Sequence, residues 1–125
     1  MSDAPKVLSV GQCGLDGPRI KNHLTSTFGA SVDAAGSVEE AEEMIAGGSY
    51  RLVLVNRILD ATHEEGLAVV KAAAEHGTPV MLVSNYDDAQ EAAVAAGAKK
   101  GFGKAKLTDS STTSLLREAL EDESA

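Results

Sequence analysis

The sequence predicts an α/β domain, a parallel sheet with helices packed on both of its faces. Three observations carry that prediction. Leu52 to Val55 is an unbroken apolar run, too short and too β-branched for a helix, and it reads as a strand buried on both faces. The segments between such runs repeat their apolar residues at helical spacing. Strand-like and helix-like segments also alternate strictly along the chain, the order that builds βαβ units and not separate sheet and helix regions.

Residues 1 to 5 read as a frayed end, and Lys6 to Val10, KVLSV, as the first strand. Gly11 to Pro18 is an irregular glycine-rich turn, with Pro18 suited to the first helical turn, where its missing N–H costs nothing. Ile20, Leu24 and Phe28 give the first helix its buried stripe, and Gly29 stands where a left-handed C-terminal cap belongs. Ala30 to Ala34 is a short second strand. Ser37-Val38-Glu39-Glu40 spells a capping box, in which a hydroxyl and a carboxylate each satisfy a free N–H at the start of the second helix. Val38, Ala41, Met44 and Ile45 form that helix's inner face, and Gly47-Gly48 stops it.

The third strand is the 52–55 run, and Asn56 is the first residue beyond it. A loop to about Glu65 leads into a third helix that turns Leu67, Val70, Ala73 and Ala74 inward. Gly77 and Pro79 punctuate the return to a fourth strand, Val80 to Val83. Asp87 with Gln90 spells a second capping box, opening an alanine-rich fourth helix that carries Ala89, Ala92, Ala93 and Ala96. Small side chains bury little apolar area, so this helix is expected to be the most easily displaced. After Gly97-Ala98 come a fifth strand, Lys100 to Gly103, and a fifth helix capped by Ser110 or Ser111 and buried through Leu115, Leu116, Ala119 and Leu120. EDESA is an acidic tail.

Five βα units with right-handed crossovers favour the doubly wound, flavodoxin-like (βα)5 order 2-1-3-4-5. That order converges three loops, Gly11 to Asp16, Asn56 to Glu65 and Ser84 to Asp87, at the carboxyl edge of the strands, where open parallel sheets bind ligands. The 125 residues read as one domain, 1–125, with an ordered core over about 6–120. A net charge of -8 argues against a nucleic-acid partner, since phosphate neutralisation needs clustered cations; the local cationic cluster is Lys99, Lys100, Lys104 and Lys106. No apolar run approaches the roughly 20 residues of a spanning helix, and MSDAPK has no secretory core, so no membrane partner is expected. With one cysteine, Cys13, the chain suits a reducing compartment, and the cytoplasm is the default location.

Taken in order and spacing, KVLSV, SVEEAEEMI, YRLVLVN, GLAVV, TPVMLVS and AAVAAGAKKGFGK resemble the receiver domains of response regulators in two-component phosphorelay signalling, over about Lys6 to Leu120. The resemblance implies an acidic pair after the first strand that holds magnesium and a phosphoacceptor aspartate after the third. It also implies a Ser or Thr after the fourth strand and a lysine after the fifth that contact the phosphoryl group. On this chain the acidic pair falls on Gly11 and Gln12 and the phosphoacceptor on Asn56, all neutral, while Ser84 and Lys104 match. The proline that usually follows the lysine is Ala105, and the usual aromatic switch position is Gly101. The loop after Asn56 is about two residues longer than usual and that after Ser84 about two shorter.

Magnesium favours octahedral oxygen ligands with one or two carboxylates, and an acyl phosphate forms only on a carboxylate. The expectation is therefore a pseudo-receiver that is not an enzyme, holds no magnesium or other cofactor, and acts through a protein partner or self-association. The resemblance puts that contact on the face of the fourth helix, fifth strand and fifth helix, with Tyr86, Lys100, Phe102 and Leu107 as its candidate residues. Asp60 is either a displaced phosphoacceptor or a loop carboxylate, and Lys104 is either paired with Asp16 or Asp60 or a solvated lysine at the rim.

Two rival readings remain. CGLDGPR, from Cys13 to Arg19, fits C-x5-R after a strand and before a helix, resembling the phosphate loop of low-molecular-weight protein tyrosine phosphatases, where a thiolate attacks phosphorus. Asp16 inside it repels a dianion, Pro18 removes a donor, Ile20 replaces the usual Ser or Thr, and no Asp-Pro pair follows as a general acid. The other rival is a small ligand in the polar crevice that loss of charge leaves behind. His23, His63 and His76 lie in separate elements without metal-ligand spacing, and GQCGLDG lacks the lysine of a nucleotide-binding loop.

Overall fold

The structure is a computed structural model and describes residues 4–121. Its elements follow the predicted order: β1 (Lys6–Val10), α1 (Asp16–Phe28), β2 (Ser31–Ala35), α2 (Val38–Gly47), β3 (Leu52–Asn56), α3 (Leu67–His76), β4 (Val80–Val83), α4 (Asp87–Ala95), β5 (Lys99–Phe102), a 3-10 turn (Lys104–Lys106) and α5 (Ser110–Glu121). The strands form one parallel sheet in the order β2-β1-β3-β4-β5, the order that alternation and right-handed crossovers favoured. Beyond Glu121 the acidic tail lies outside the described residues, as do residues 1–3 of the expected frayed start.

The sheet divides the core in two. Leu8, Val10, Val53, Val55 and Leu82 face α2, α3 and α4, while Val7, Leu52, Leu54, Met81 and Val83 face α1 and α5. This explains the lack of polar alternation in β3, whose Leu52 to Val55 are all 0% exposed. The predicted cap Gly29 adopts a left-handed φ of 67°, and Gly77, expected only as a break before β4, caps α3 in the same way at 83°. Ser37 Oγ accepts the Glu40 N–H at 3.1 Å, and Glu40 reaches back to the N–H of Gly36 at 2.8 Å.

Some boundaries and faces differ from expectation. β2 runs from Ser31 to Ala35, one residue later, because its last carbonyl accepts the N–H of Gly11 at 2.9 Å. β5 starts at Lys99 and ends at Phe102. In α3 the fully buried residues are Val69, Val70 and Ala73, with Leu67 and Ala74 at the margins. Phe102 and Leu107, expected on the partner face, are only 5% and 3% exposed and pack in the α1 and α5 half of the core. The phase of β5 directs Phe102 inward, and the 3-10 turn folds Leu107 back after it. Tyr86 and Lys100 are exposed.

The second capping box does not form: Tyr86 holds the cap position of α4 with no side-chain cap bond. Gln90 is used elsewhere. Its Nε2 donates to Leu82 O at 2.9 Å and Ser84 O at 3.1 Å, and its Oε1 accepts the Gly101 N–H at 3.1 Å. The β4–β5 ladder shifts register between Met81 and Val83, so the backbone groups of Leu82 and Gly101 need partners that the ladder does not supply, and the glutamine provides them. Gly101 must be glycine, because a side chain would run into the Leu82 carbonyl. Gln90→Leu should therefore cost about 1–3 kcal/mol in a urea melt, the desolvation penalty of backbone groups left unpaired. A loss below about 0.5 kcal/mol, ordinary for a surface residue, would contradict this role.

Candidate functional site

Strands β1, β3, β4 and β5 deliver Gly11, Asn56, Ser84 and Lys104 to one edge of the sheet. Gly11 follows β1 with φ 73°, in the left-handed region that glycine enters freely. Its carbonyl is the hub of the crevice. It accepts Asn56 Nδ2 at 3.3 Å and the N–H of Asp60 at 3.0 Å. Asn56 Nδ2 donates again, to Ile58 O at 2.9 Å. Asparagine is thus used here as a donor, a role its acidic counterpart cannot fill when ionised.

Arg57 to Glu65 folds as a compact loop held by its own backbone. Ile58 and Glu65 form an antiparallel bridge, Leu59 N–H bonds Glu64 O at 2.8 Å, and His63 N–H returns to Leu59 O at 2.8 Å with His63 at φ 62°. Glu64 ties the loop to α2, its carboxylate accepting the N–H of Val38 at 3.0 Å and the Thr62 hydroxyl at 2.8 Å. The Val38 N–H foremost, and then Thr62, hold the Glu64 carboxyl below its usual range.

The product of this folding is the placement of Leu59. It is 0% exposed and lies directly over Gly11. A Cβ on Gly11 would collide with Leu59 Cγ and stand 2.9 Å from Leu59 Cα. An apolar side chain therefore occupies the ground beside the end of β1. Asp60, next along, is exposed and engages Gly11 through its backbone N–H.

Lys104 turns to Asp16, as one of the two expected pairings had it, with Nζ 2.8 Å from Oδ2. Arg19 approaches the same carboxylate at 3.8 Å, and the Cys13 thiol donates to it at 3.3 Å. The Lys104 contact, outweighing burial, holds the Asp16 carboxyl below the usual aspartate range. A part-exposed ion pair of this kind contributes at most about 1 kcal/mol. That contribution is complete above the ordinary aspartate value of 3.8 and is lost as pH falls through the lowered native one.

The turn carrying Lys104 is joined to the β4–α4 loop. Asn85 Oδ1 accepts the Ala105 N–H at 3.4 Å and occupies the place a side chain on Gly103 would need. Ser84 is 7% exposed, its Oγ accepting the Tyr86 N–H at 3.2 Å. Tyr86, 59% exposed, lies under the Arg57 guanidinium, 5.0 Å from the ring centre.

In the segment from Cys13 to Arg19 one backbone donor, the Asp16 N–H, points at the Cys13 sulfur, at 3.3 Å. The segment's second half is already the first turn of α1, where Gly17 N–H bonds Cys13 O and Arg19 N–H bonds Leu15 O, so those donors do not converge on the thiol. The Asp16 carboxylate stands beside the sulfur, where it opposes an incoming dianion. Leu59, Asn85 and the tertiary role of Gln90 escaped the sequence reading. The trace of the first was available, an apolar Ile58-Leu59 pair inside an otherwise polar loop of unusual length.

No family model matches the chain, and no curated protein does. Solved structures do. A two-component response regulator from Clostridium difficile is 20% identical with a TM-score of 0.75, over 96% of this chain and 98% of that one. The signal receiver domain of an HD domain-containing protein from Pseudomonas fluorescens is 19% identical with a TM-score of 0.75, over 98% and 90%. A response regulator receiver protein from Pseudomonas putida is 18% identical with a TM-score of 0.71, over 98% and 100%. The chain has the receiver fold.

Proposed function

We propose that this chain is a two-component signalling module of receiver type that acts by protein contact, without magnesium or phosphorylation at the usual crevice. The observation that carries the reading is the seating of Leu59 on Gly11, which leaves no room for an acidic side chain at position 11, the first of the two acidic-pair positions. The remaining donors do not fit magnesium either. Gln12 and Asn56 are neutral, the Gly11 carbonyl already takes two hydrogen bonds, and the ion's usual one or two carboxylates have no counterpart among these residues. Asn56 is no nucleophile for acyl-phosphate formation. Among the described residues no three His, Cys, Asp or Glu side chains gather as a metal-holding cluster.

A module of this kind works by presenting a surface. The face of α4, β5 and α5 offers exposed Tyr86 and Lys100, while Phe102 and Leu107 support it from within. α4 buries little side-chain area, with Ala93 its one buried residue, and a cavity of about 560 Å³ beside it is lined by Arg57, Leu67, Tyr86 and Ala89. The partner is a protein or a second copy, and not nucleic acid, which a net charge of -8 disfavours. A reducing, cytoplasmic setting suits its single cysteine.

Incubation with acetyl phosphate and magnesium should leave the intact mass unchanged, for the wild type and for Asn56→Asp alike. The substitution supplies a carboxylate but faces it toward the carbonyls of Gly11 and Ile58, under a loop still closed by Leu59. A stoichiometric phosphoryl adduct on the wild type, at Asp60 or another acid of the crevice, would defeat the proposal. For the contact itself, Tyr86→Ala should weaken capture of a partner or self-association in pull-downs and light scattering, and an inert monomer that retains no protein would count against it.

A further inference from the structure

A second cavity, of about 730 Å³, opens beside the outer strand β2, between the first turns of α1 and the side of α2. Its polar lining comes from three elements: Ser9 and Gln12 at the end of β1, Lys21 and Asn22 on α1, and Asp33 on β2. Three buried side-chain atoms among the described residues lack a hydrogen-bond partner, and two of them, Ser9 Oγ and Gln12 Oε1, belong to residues lining this one cavity. Ser9 is 5% exposed. Such orphans are rare in native folds, because each has given up hydration without replacement. Gln12 is loosely held, its Nε2 reaching Val10 O at 3.4 Å, so its carbonyl end can turn into the cavity.

The charges select the ligand. Lys21 brings one cation, and Asp33 brings one carboxylate, which accepts the Tyr50 hydroxyl at 2.8 Å. A plain anion is opposed by Asp33 and by the chain's net charge of -8, and a plain cation by Lys21. Pro18, Val32 and Met44 add an apolar wall suited to an aliphatic group. We infer that this cavity binds a small zwitterion, an aliphatic amino acid, with its carboxylate against Lys21 and Asn22 and its ammonium against Gln12 Oε1 and Asp33. Ser9 Oγ lies behind them as a further donor or acceptor. The cavity shares Gln12 with the rim of the crevice, but Lys21, Asn22, Asp33 and the apolar wall lie outside the crevice, and the assignment does not depend on whether the crevice takes phosphate.

The test is a nitrogen-15 NMR titration of the full chain with L-leucine, and with its two halves, isocaproate and isoamylamine. L-Leucine should give saturable shifts at the amides of Gln12, Lys21, Asn22 and Asp33, and each half should bind at least about tenfold more weakly. Lys21→Met and Gln12→Leu, once dispersed spectra show each variant to be folded, should each weaken L-leucine at least about tenfold. Absence of saturable shifts, equal binding of either half, or unchanged affinity in Lys21→Met would overturn the assignment. Ser9→Ala is a second check: it should raise the melting temperature of the free protein by removing an orphaned hydroxyl and reduce the stabilisation that L-leucine confers. Equal stabilisation in both would exclude Ser9 and the site as drawn.

Discussion

Gly11→Ala should lower the free energy of unfolding by about 2–5 kcal/mol, the sum of two costs. Holding a side-chain-bearing residue at φ 73° costs roughly 1–2 kcal/mol. Overpacking adds roughly 1–3 kcal/mol more, because the new methyl meets Leu59 at both Cγ and Cα, and a backbone atom 2.9 Å away cannot yield by changing rotamer. Against a total stability of about 5–15 kcal/mol this is severe, and aspartate at the same place should be worse. Gly14→Ala is the matched control in the same loop, with nothing within 4 Å of its added carbon, and should stay within about 0.5 kcal/mol of wild type. Urea melts of the two variants decide the matter. Equal, small losses would mean that Leu59 does not sit on Gly11 in solution, and the principal support for a closed crevice would go with it.

The legible parts of this molecule are those fixed by burial and local pattern. β3 announced itself because four consecutive apolar residues leave no exposed face, and alternation with handedness narrowed the sheet to a few orders, of which the favoured flavodoxin-like one is present. At the site, the place of Asn56 at the end of β3 and Asp16 as one of two candidate partners for Lys104 could be read, since strand ends and charges are visible in one dimension. What was not legible depends on contacts between distant residues. The Asp87 to Gln90 motif satisfies the rule for a capping box, yet the irregular β4–β5 ladder presents a stronger demand and takes the glutamine. Phe102 and Leu107 depend on the phase of an edge strand of four residues, too short to fix its own inner face. Leu59 is hardest of all. The Arg57 to Glu65 loop owes its shape to one antiparallel bridge, a left-handed His63 and an anchor on α2, none of which leaves a periodic signal.

Leu59→Ala should cost about 2–5 kcal/mol in the same melts, the range for truncating a fully buried leucine, because the surrounding loop is tied at both ends and cannot collapse freely into the space. Its more telling property is coupling. If the leucine is what excludes a side chain from Gly11, then Gly11→Ala should cost less in the Leu59→Ala background than in wild type, with an interaction energy of about 1–3 kcal/mol favouring the double variant. The φ cost at Gly11 remains, so compensation will be partial. Additivity within about 0.5 kcal/mol would show that the two residues act independently. The same logic reaches function. Carboxylates restored at positions 11, 12 and 56 should confer magnesium-dependent thermal stabilisation only when Leu59 is truncated as well, because a ligand that binds the native state stabilises it in proportion to its occupancy. Restoring charge with the leucine in place should leave the melting temperature indifferent to the ion. That outcome would show that closure of the crevice depends on loop packing as much as on its neutral residues, and that reopening it takes both changes together.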